Sequence, residues 1–171
     1  MAAASSDSDL LGVEIGGTKL QVVRGDSQGR IFEAAQASAD TAGGGPAILR
    51  QLQEMVRQLL SSSRRGVRGM GIGFGGPVDV AAGTVIKSNQ VAGWERVSLR
   101  EWSAAQFQLP CAVGNDTDAA AIAEARVGCG RNARCVFYTN VGSGIGGGLV
   151  VDGQLFARPQ GAMEVGHHWV Y

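Results

Sequence analysis

Apolar and polar positions divide the chain into short strands and three helices. LLGVEI (10–15) reads as a buried strand stopped by Gly16-Gly17, and TKLQVVRG (18–25) alternates apolar and polar residues as its partner. Strand, two-glycine turn, strand is a hairpin, with the glycines at its tip. After the turn Ser27-Gln28-Gly29, RIFEAAQAS (30–38) makes a third strand. Gly43-Gly44-Gly45-Pro46 opens a helix over 46–60, with Ile48, Leu52, Met55 or Val56, and Leu59 on one face. GVRGMGIGF (66–74) is an apolar, glycine-rich strand, and 78–89 reads as a second hairpin turning at Ala82-Gly83. Ser98 with Glu101 forms a capping box for a helix over 99–107. PCAVGN (110–115) is a short strand, followed by an Ala-rich helix from Asp116 to Val127 with Gly128 as its stop. RCVFYTNV (134–141) is a strand, GSGIGGG a tight turn, and GLVVDG (148–153) a strand back. This order predicts an α/β fold. Residues 1–9 are small and polar and read as a flexible N-terminus, 10–115 as a first lobe, and 116–171 as the start of a second. Glycine-tipped hairpins at 10–25 and 134–152 begin the two halves.

Composition narrows the function. Fifteen Lys+Arg balance fifteen Asp+Glu, which is poor material for a nucleic-acid binder. With 44% hydrophobic and 18% charged residues, the chain is not disordered. No run of about 20 apolar residues predicts a membrane span, and the N-terminus lacks the pattern of a secretory signal. The expectation is a cytoplasmic protein with neither nucleic-acid nor membrane partners. Cys111, Cys129 and Cys135 form no CxxC pair, so they build neither a zinc site nor a disulfide framework alone. Glycine is the outlier: 27 of 171 residues, more than twice the usual share of about 7%. The glycines cluster in short motifs, where they let backbone approach a ligand closely.

Gly71-x-Gly73-x-x-Gly76 and Gly142-x-Gly144-x-x-Gly147 match the dinucleotide string, but neither runs from a strand into a helix, so neither carries that reading. No GxxxxGK[ST] is present. The tip EIGGTK (14–19) is more telling. Backbone N–H groups in such a turn hold phosphate oxygens, and a hydroxyl adds a donor. The later tip, Thr139-Asn140-Val141-Gly142-Ser143-Gly144, has the same chemistry, and two such tips across a cleft would clamp a polyphosphate. Asn115-Asp116 opens a helix after a strand. Such a pair is ordinarily an N-cap; in a cleft, the carboxylate is a general base for a hydroxyl attacking phosphorus. Glu164-x-Gly166-His167 offers acceptors and donors suited to vicinal sugar hydroxyls, or is a plain loop.

Taken in order, EIGGTK (14–19), GIGFGGPVD (71–79), GNDTDAAAIAEARVG (114–128), TNVGSGIGGGLVVDG (139–153) and EVGH (164–167) resemble the ROK family of repressors and sugar kinases. The resemblance implies an actin-like ATPase (ribonuclease-H-like) fold with two lobes around a cleft, the second lobe incomplete here. It implies transfer of the ATP γ-phosphate to a hexose hydroxyl with Mg²⁺. Asp116 matches the catalytic base and Asn115 its sugar-binding neighbour. Gly16, Gly17, Thr18 and Lys19 match the first phosphate loop; Thr139, Gly142, Ser143 and Gly144 match the second. Gly75, Gly76 and Asn89 fall where the family lines its sugar site. Glu164 and His167 match the ExGH sugar motif, whose His also ligates a structural Zn²⁺. Glu14 stands where the family more often has Asp, and keeps the charge that helps place Mg²⁺. GFGG replaces a commoner form with proline before the second glycine. The family's CxCGxxGC cluster, which completes the zinc site, is absent from the 171 residues. The chain is therefore read as the N-terminal part of a longer kinase, with zinc bound only in the full-length chain. Family members are often homodimers. The alternatives are a non-catalytic sugar-binding remnant and a sugar-responsive transcriptional repressor.

Overall fold

The computed structural model describes residues 8–142 and 144–156. Its main layer is a five-stranded sheet. β1 (Asp9–Ile15), β2 (Lys19–Gly25) and β3 (Ile31–Ser38) form an antiparallel meander, and β4 (Val67–Phe74) and β7 (Cys111–Asn115) add parallel to β1, giving the order β3-β2-β1-β4-β7. Between β4 and β7 lie a two-stranded ribbon, β5 (Val78–Asp79) with β6 (Thr84–Val85), and helix α2 (Leu99–Phe107).

The two faces of this sheet differ in side-chain size. Leu11, Val13 and Ile15 from β1, Leu20 and Val22 from β2, and Met70, Ile72 and Phe74 from β4 point to one face and are buried. Helix α1 (Gly44–Ser62) covers that face with the apolar stripe Ile48, Leu52, Met55, Val56 and Leu59, the spacing of one helix face. The intervening residues Gly12, Gly71, Gly73 and Gly114 lie on the other face. Helix α3 (Asp116–Arg126) comes close there at Gly73, where a Cβ would lie 3.3 Å from the Asp116 Cα, while a cavity of about 690 Å³ separates the rest of this glycine face from α3.

The far side of α3 carries a second, three-stranded antiparallel sheet of order β10-β9-β8, from β8 (Cys135–Val141), β9 (Ile145–Val151) and β10 (Gln154–Leu155). Its glycines do the same work. A Cβ on Gly146 would stand 2.7 Å from Thr117 Cγ2, and one on Gly148 2.7 Å from the Ala121 Cβ. Helix α3 thus packs along the three-stranded sheet and meets the five-stranded sheet at its own N-terminus.

Three expectations are corrected. The return strand begins at Ile145 rather than at 148, because Gly146–Gly148 are strand residues packed on α3 and not turn residues. The ribbon expected over 78–89 pairs only Val78–Val85 and Asp79–Thr84. Beyond it the chain dives inward to bury Val91 and Trp94, whose ring meets Phe74 edge-on with centroids 5.0 Å apart. Helix α1 starts at Gly44, which puts Pro46 inside its first turn. The Ser98 cap stands as read: its hydroxyl accepts from Glu101 N at 3.2 Å. Among the described residues, no helix is long and apolar enough to cross a membrane.

Candidate active site

The C-terminal ends of β1, β4 and β7 converge on the N-terminus of α3, and the hairpin tips meet there. A cleft of about 380 Å³ opens at this point, within the size range of ligand pockets. It is lined by Glu14, Gly16, Gly17, Thr18 and Lys19 of the first tip, Gly75 and Gly76 after β4, Asn89, the pair Asn115 and Asp116, and Gly142 and Gly144 of the second tip. Residues far apart in the chain thus share one cavity. Thr139 is not among the lining residues. Its hydroxyl donates across the hairpin to the Gly146 carbonyl oxygen (2.9 Å), tying β8 to β9. Ser143, Glu164 and His167 lie outside the described residues. The lining also includes Pro77, Gln90, Thr117, Asn140, Ile145 and Gly146, which sequence reasoning did not single out. Pro77, Thr117, Asn140, Ile145 and Gly146 lie within the quoted motifs, whereas Gln90 had no motif signal beyond following Asn89.

The helix start divides its labour. Asn115 is the N-cap: its Oδ1 accepts from the Thr117 and Asp118 backbone N–H groups at 3.0 and 3.2 Å and from the Thr117 hydroxyl. Its Nδ2 reaches the Gly76 carbonyl at 3.3 Å, tying α3 to the glycine turn after β4. Asp116 is therefore left with one carboxylate oxygen free of the helix terminus. Its Oδ1 accepts from Thr117 N at 2.7 Å, while Oδ2 faces Gly75, 3.3 Å from where a Cβ would stand. Glycine at 75 leaves room for that oxygen beside a ligand.

Burial pushes the Asp116 carboxyl above its ordinary range. The Thr117 N–H pulls it back, the negative charge of Glu14 pushes it up again, and the net direction is upward. A proton acceptor with a raised pKa is a stronger base. Glu14 itself is half-exposed and lies 3.5 Å from the Lys19 ammonium. Its hard carboxylate oxygens, within electrostatic reach of Asp116, suit Mg²⁺, which takes one or two carboxylates together with substrate phosphates. Among the described residues no group of three His, Cys, Asp or Glu could hold a metal, and His167, the expected zinc ligand, lies outside them. Burial drives the Cys111 thiol up to about 11, so it stays neutral, and Cys129 and Cys135 are exposed.

Two glycine-tipped hairpins thus line one cleft beside the Asp116 carboxylate. The ROK family model matches residues 10–170, and the chain belongs to the ROK family. It is 28% identical over 166 residues to a glucokinase of Halalkalibacterium halodurans, covering 95% of this chain and 50% of that protein. It is 26% identical to a xylose repressor of Caldicellulosiruptor bescii, covering 92% of this chain and 40% of that one. A ROK glucokinase from Streptomyces griseus, solved with glucose and AMPPNP, superposes with a TM-score of 0.86 at 29% identity, over 96% of this chain and 51% of that chain. The fold is accordingly the actin-like one of ROK sugar kinases, with the second lobe incomplete. The chain spans about half the length of the curated relatives it matches.

Proposed function

We propose that this chain supplies the catalytic half-site of an ATP-dependent hexose kinase. The observation that carries the reading is Asp116: a half-buried carboxylate with a raised pKa, one oxygen of which stays free beside Gly75, at the floor of a cleft that both hairpin tips line. A sugar hydroxyl at Oδ2 gives its proton to Asp116 as its oxygen attacks the γ-phosphorus. The new phosphorus–oxygen bond forms as the bond to the β,γ-bridging oxygen breaks, and ADP leaves. The tips Gly16–Lys19 and Gly142–Gly144 hold the phosphates; the Gly16 and Gly142 N–H groups close the turns by donating to the Lys19 and Gly144 carbonyls, so Gly17, Thr18 and Gly144 would meet the phosphate oxygens, and the Lys19 ammonium adds charge. Asn89, Gly75 and Gly76 line the sugar side, and Asn115 holds that wall to α3. Glu14 would hold Mg²⁺, which when bound neutralises phosphate charge. Residues 10–115 act as the first lobe and 116–171 open the second, with α3 at the seam. Catalysis here is mostly positioning and charge stabilisation.

The test is transfer of labelled γ-phosphate from ATP by the full-length protein to glucose, fructose, mannose and N-acetylated hexosamines. Transfer to at least one hexose is expected; no transfer to any, from a folded protein, refutes the reading. A second reading, a sugar-responsive repressor, rests on the 26% likeness to the xylose repressor. Specific, salt-dependent DNA binding in a mobility-shift assay, without phosphoryl transfer, would favour it.

A further inference from the structure

Gln90 has no part in the reaction as described, yet it lies across the first phosphate loop. A Cβ on Gly17 would stand 1.5 Å from Gln90 Oε1 and 2.7 Å from its Cδ, so any side chain there would push the amide aside. The loop that carries it is held at its base. The Gln90 and Val91 backbone N–H groups donate to Ser88 Oγ at 3.3 and 3.2 Å, and Val91 and Trp94 are buried just beyond. Its side chain is exposed within the cleft lining, and no protein group among the described residues hydrogen-bonds its amide. A primary amide has two N–H donors and one acceptor. With Oε1 against Gly17, the NH₂ is the end left to donate.

We propose that Gln90 is a phosphate-positioning residue: its amide folds over Gly17 and donates to a terminal phosphoryl oxygen held by Gly16–Lys19. This rests on the phosphate-cleft reading above. Because Asn89 lines the same cleft one residue earlier, the loop carries a sugar-side residue and a phosphate-side residue together. Filling the sugar side then fixes where the phosphoryl group stands.

The experiment is calorimetric titration of the full-length protein with inorganic triphosphate, without sugar, for the wild type, Gln90→Ala, Gln90→Glu, Gly17→Ala and the Gly17→Ala/Gln90→Ala double variant. Losing one hydrogen bond to a charged group weakens binding about tenfold, so Gln90→Ala is expected to raise Kd by about that factor and Gln90→Glu by more. Gly17→Ala displaces the amide, so adding Gln90→Ala to it is expected to cost little further, a non-additive cycle. In turnover, KM for ATP is expected to rise about tenfold in Gln90→Ala, with KM for sugar and the melting temperature unchanged, a split that a merely structural role would not produce. If the wild type binds triphosphate and Gln90→Ala binds it equally well, the role of Gln90 is overturned while the cleft stands. If the wild type binds no triphosphate, the cleft reading falls, and this inference with it.

Discussion

The two glycine-tipped hairpins look alike in sequence and differ in what stands behind them. β1–β2 runs through the middle of the five-stranded sheet, with Leu20 and Val22 fully buried under α1. β8–β9 belongs to a three-stranded sheet in which β8 is an edge, with α3 packed on one face. On its other face Phe137 is 53% exposed and Val141 80%. Both tips nevertheless reach the same cleft. A phosphate-binding turn is made by backbone N–H groups and needs only the right conformation, whereas stability needs burial. The first hairpin is anchored in the core, and the second brings its tip to the cleft with less burial behind it.

Core truncation separates the two hairpins most strongly. Leu20→Ala removes a side chain with no solvent exposure and is expected to cost about 2–5 kcal/mol in urea unfolding. Phe137→Ala, at a half-exposed site of the second hairpin, is expected to stay within about 0.5 kcal/mol. Equal costs would show that the second hairpin is covered after all. A smaller effect comes from filling a glycine. Gly148→Ala places a methyl 2.7 Å from the Ala121 Cβ and 3.0 Å from the Thr117 carbonyl oxygen. It is expected to cost about 1–3 kcal/mol by forcing β9 off α3. Gly142→Ala meets nothing within 4 Å, so its melting temperature is expected to match the wild type. Similar losses for both would mean that the tip, and not the α3 contact, limits this hairpin.

The smallest effect is in pH dependence. Burial, and then the neighbouring Asp116 charge, raise the Asp118 carboxyl above its ordinary value. Its folded pKa therefore exceeds its unfolded one. The stability it contributes is full below the unfolded pKa and is lost as pH rises through the folded pKa. From about pH 4 upward, Asp118→Asn is expected to lose melting temperature less steeply than the wild type. Parallel curves would show that Asp118 titrates normally.

Much of this was legible in the sequence because it rests on local rules. The hairpin of 10–25, the amphipathic stripe of α1 and the Ser98 cap follow from period, turn chemistry and capping. The start of β9 was not legible: Gly146-Gly147-Gly148 reads as turn, and only contact with Thr117 and Ala121 across space explains a glycine strand. At the site, the pair Asn115-Asp116 was visible, but its division of labour was not. Which of two adjacent capping residues turns inward depends on the Gly75–Gly76 turn it meets. Gln90 left no signal, because its placement over Gly17 is a tertiary contact between two loops. The bond from the Thr139 hydroxyl to Gly146 was not legible either, because it depends on the β8–β9 register.

The central claim is that Asp116 takes the proton of a sugar hydroxyl. Its most direct test is Asp116→Asn in the full-length protein, with turnover and melting temperature measured together. Asparagine keeps the size and the bond from Thr117 N and removes a desolvated charge. The account predicts a turnover about 10²–10⁴-fold lower, with a melting temperature equal to or above that of the wild type. A variant keeping turnover within about tenfold of the wild type, while folding as well, would contradict it.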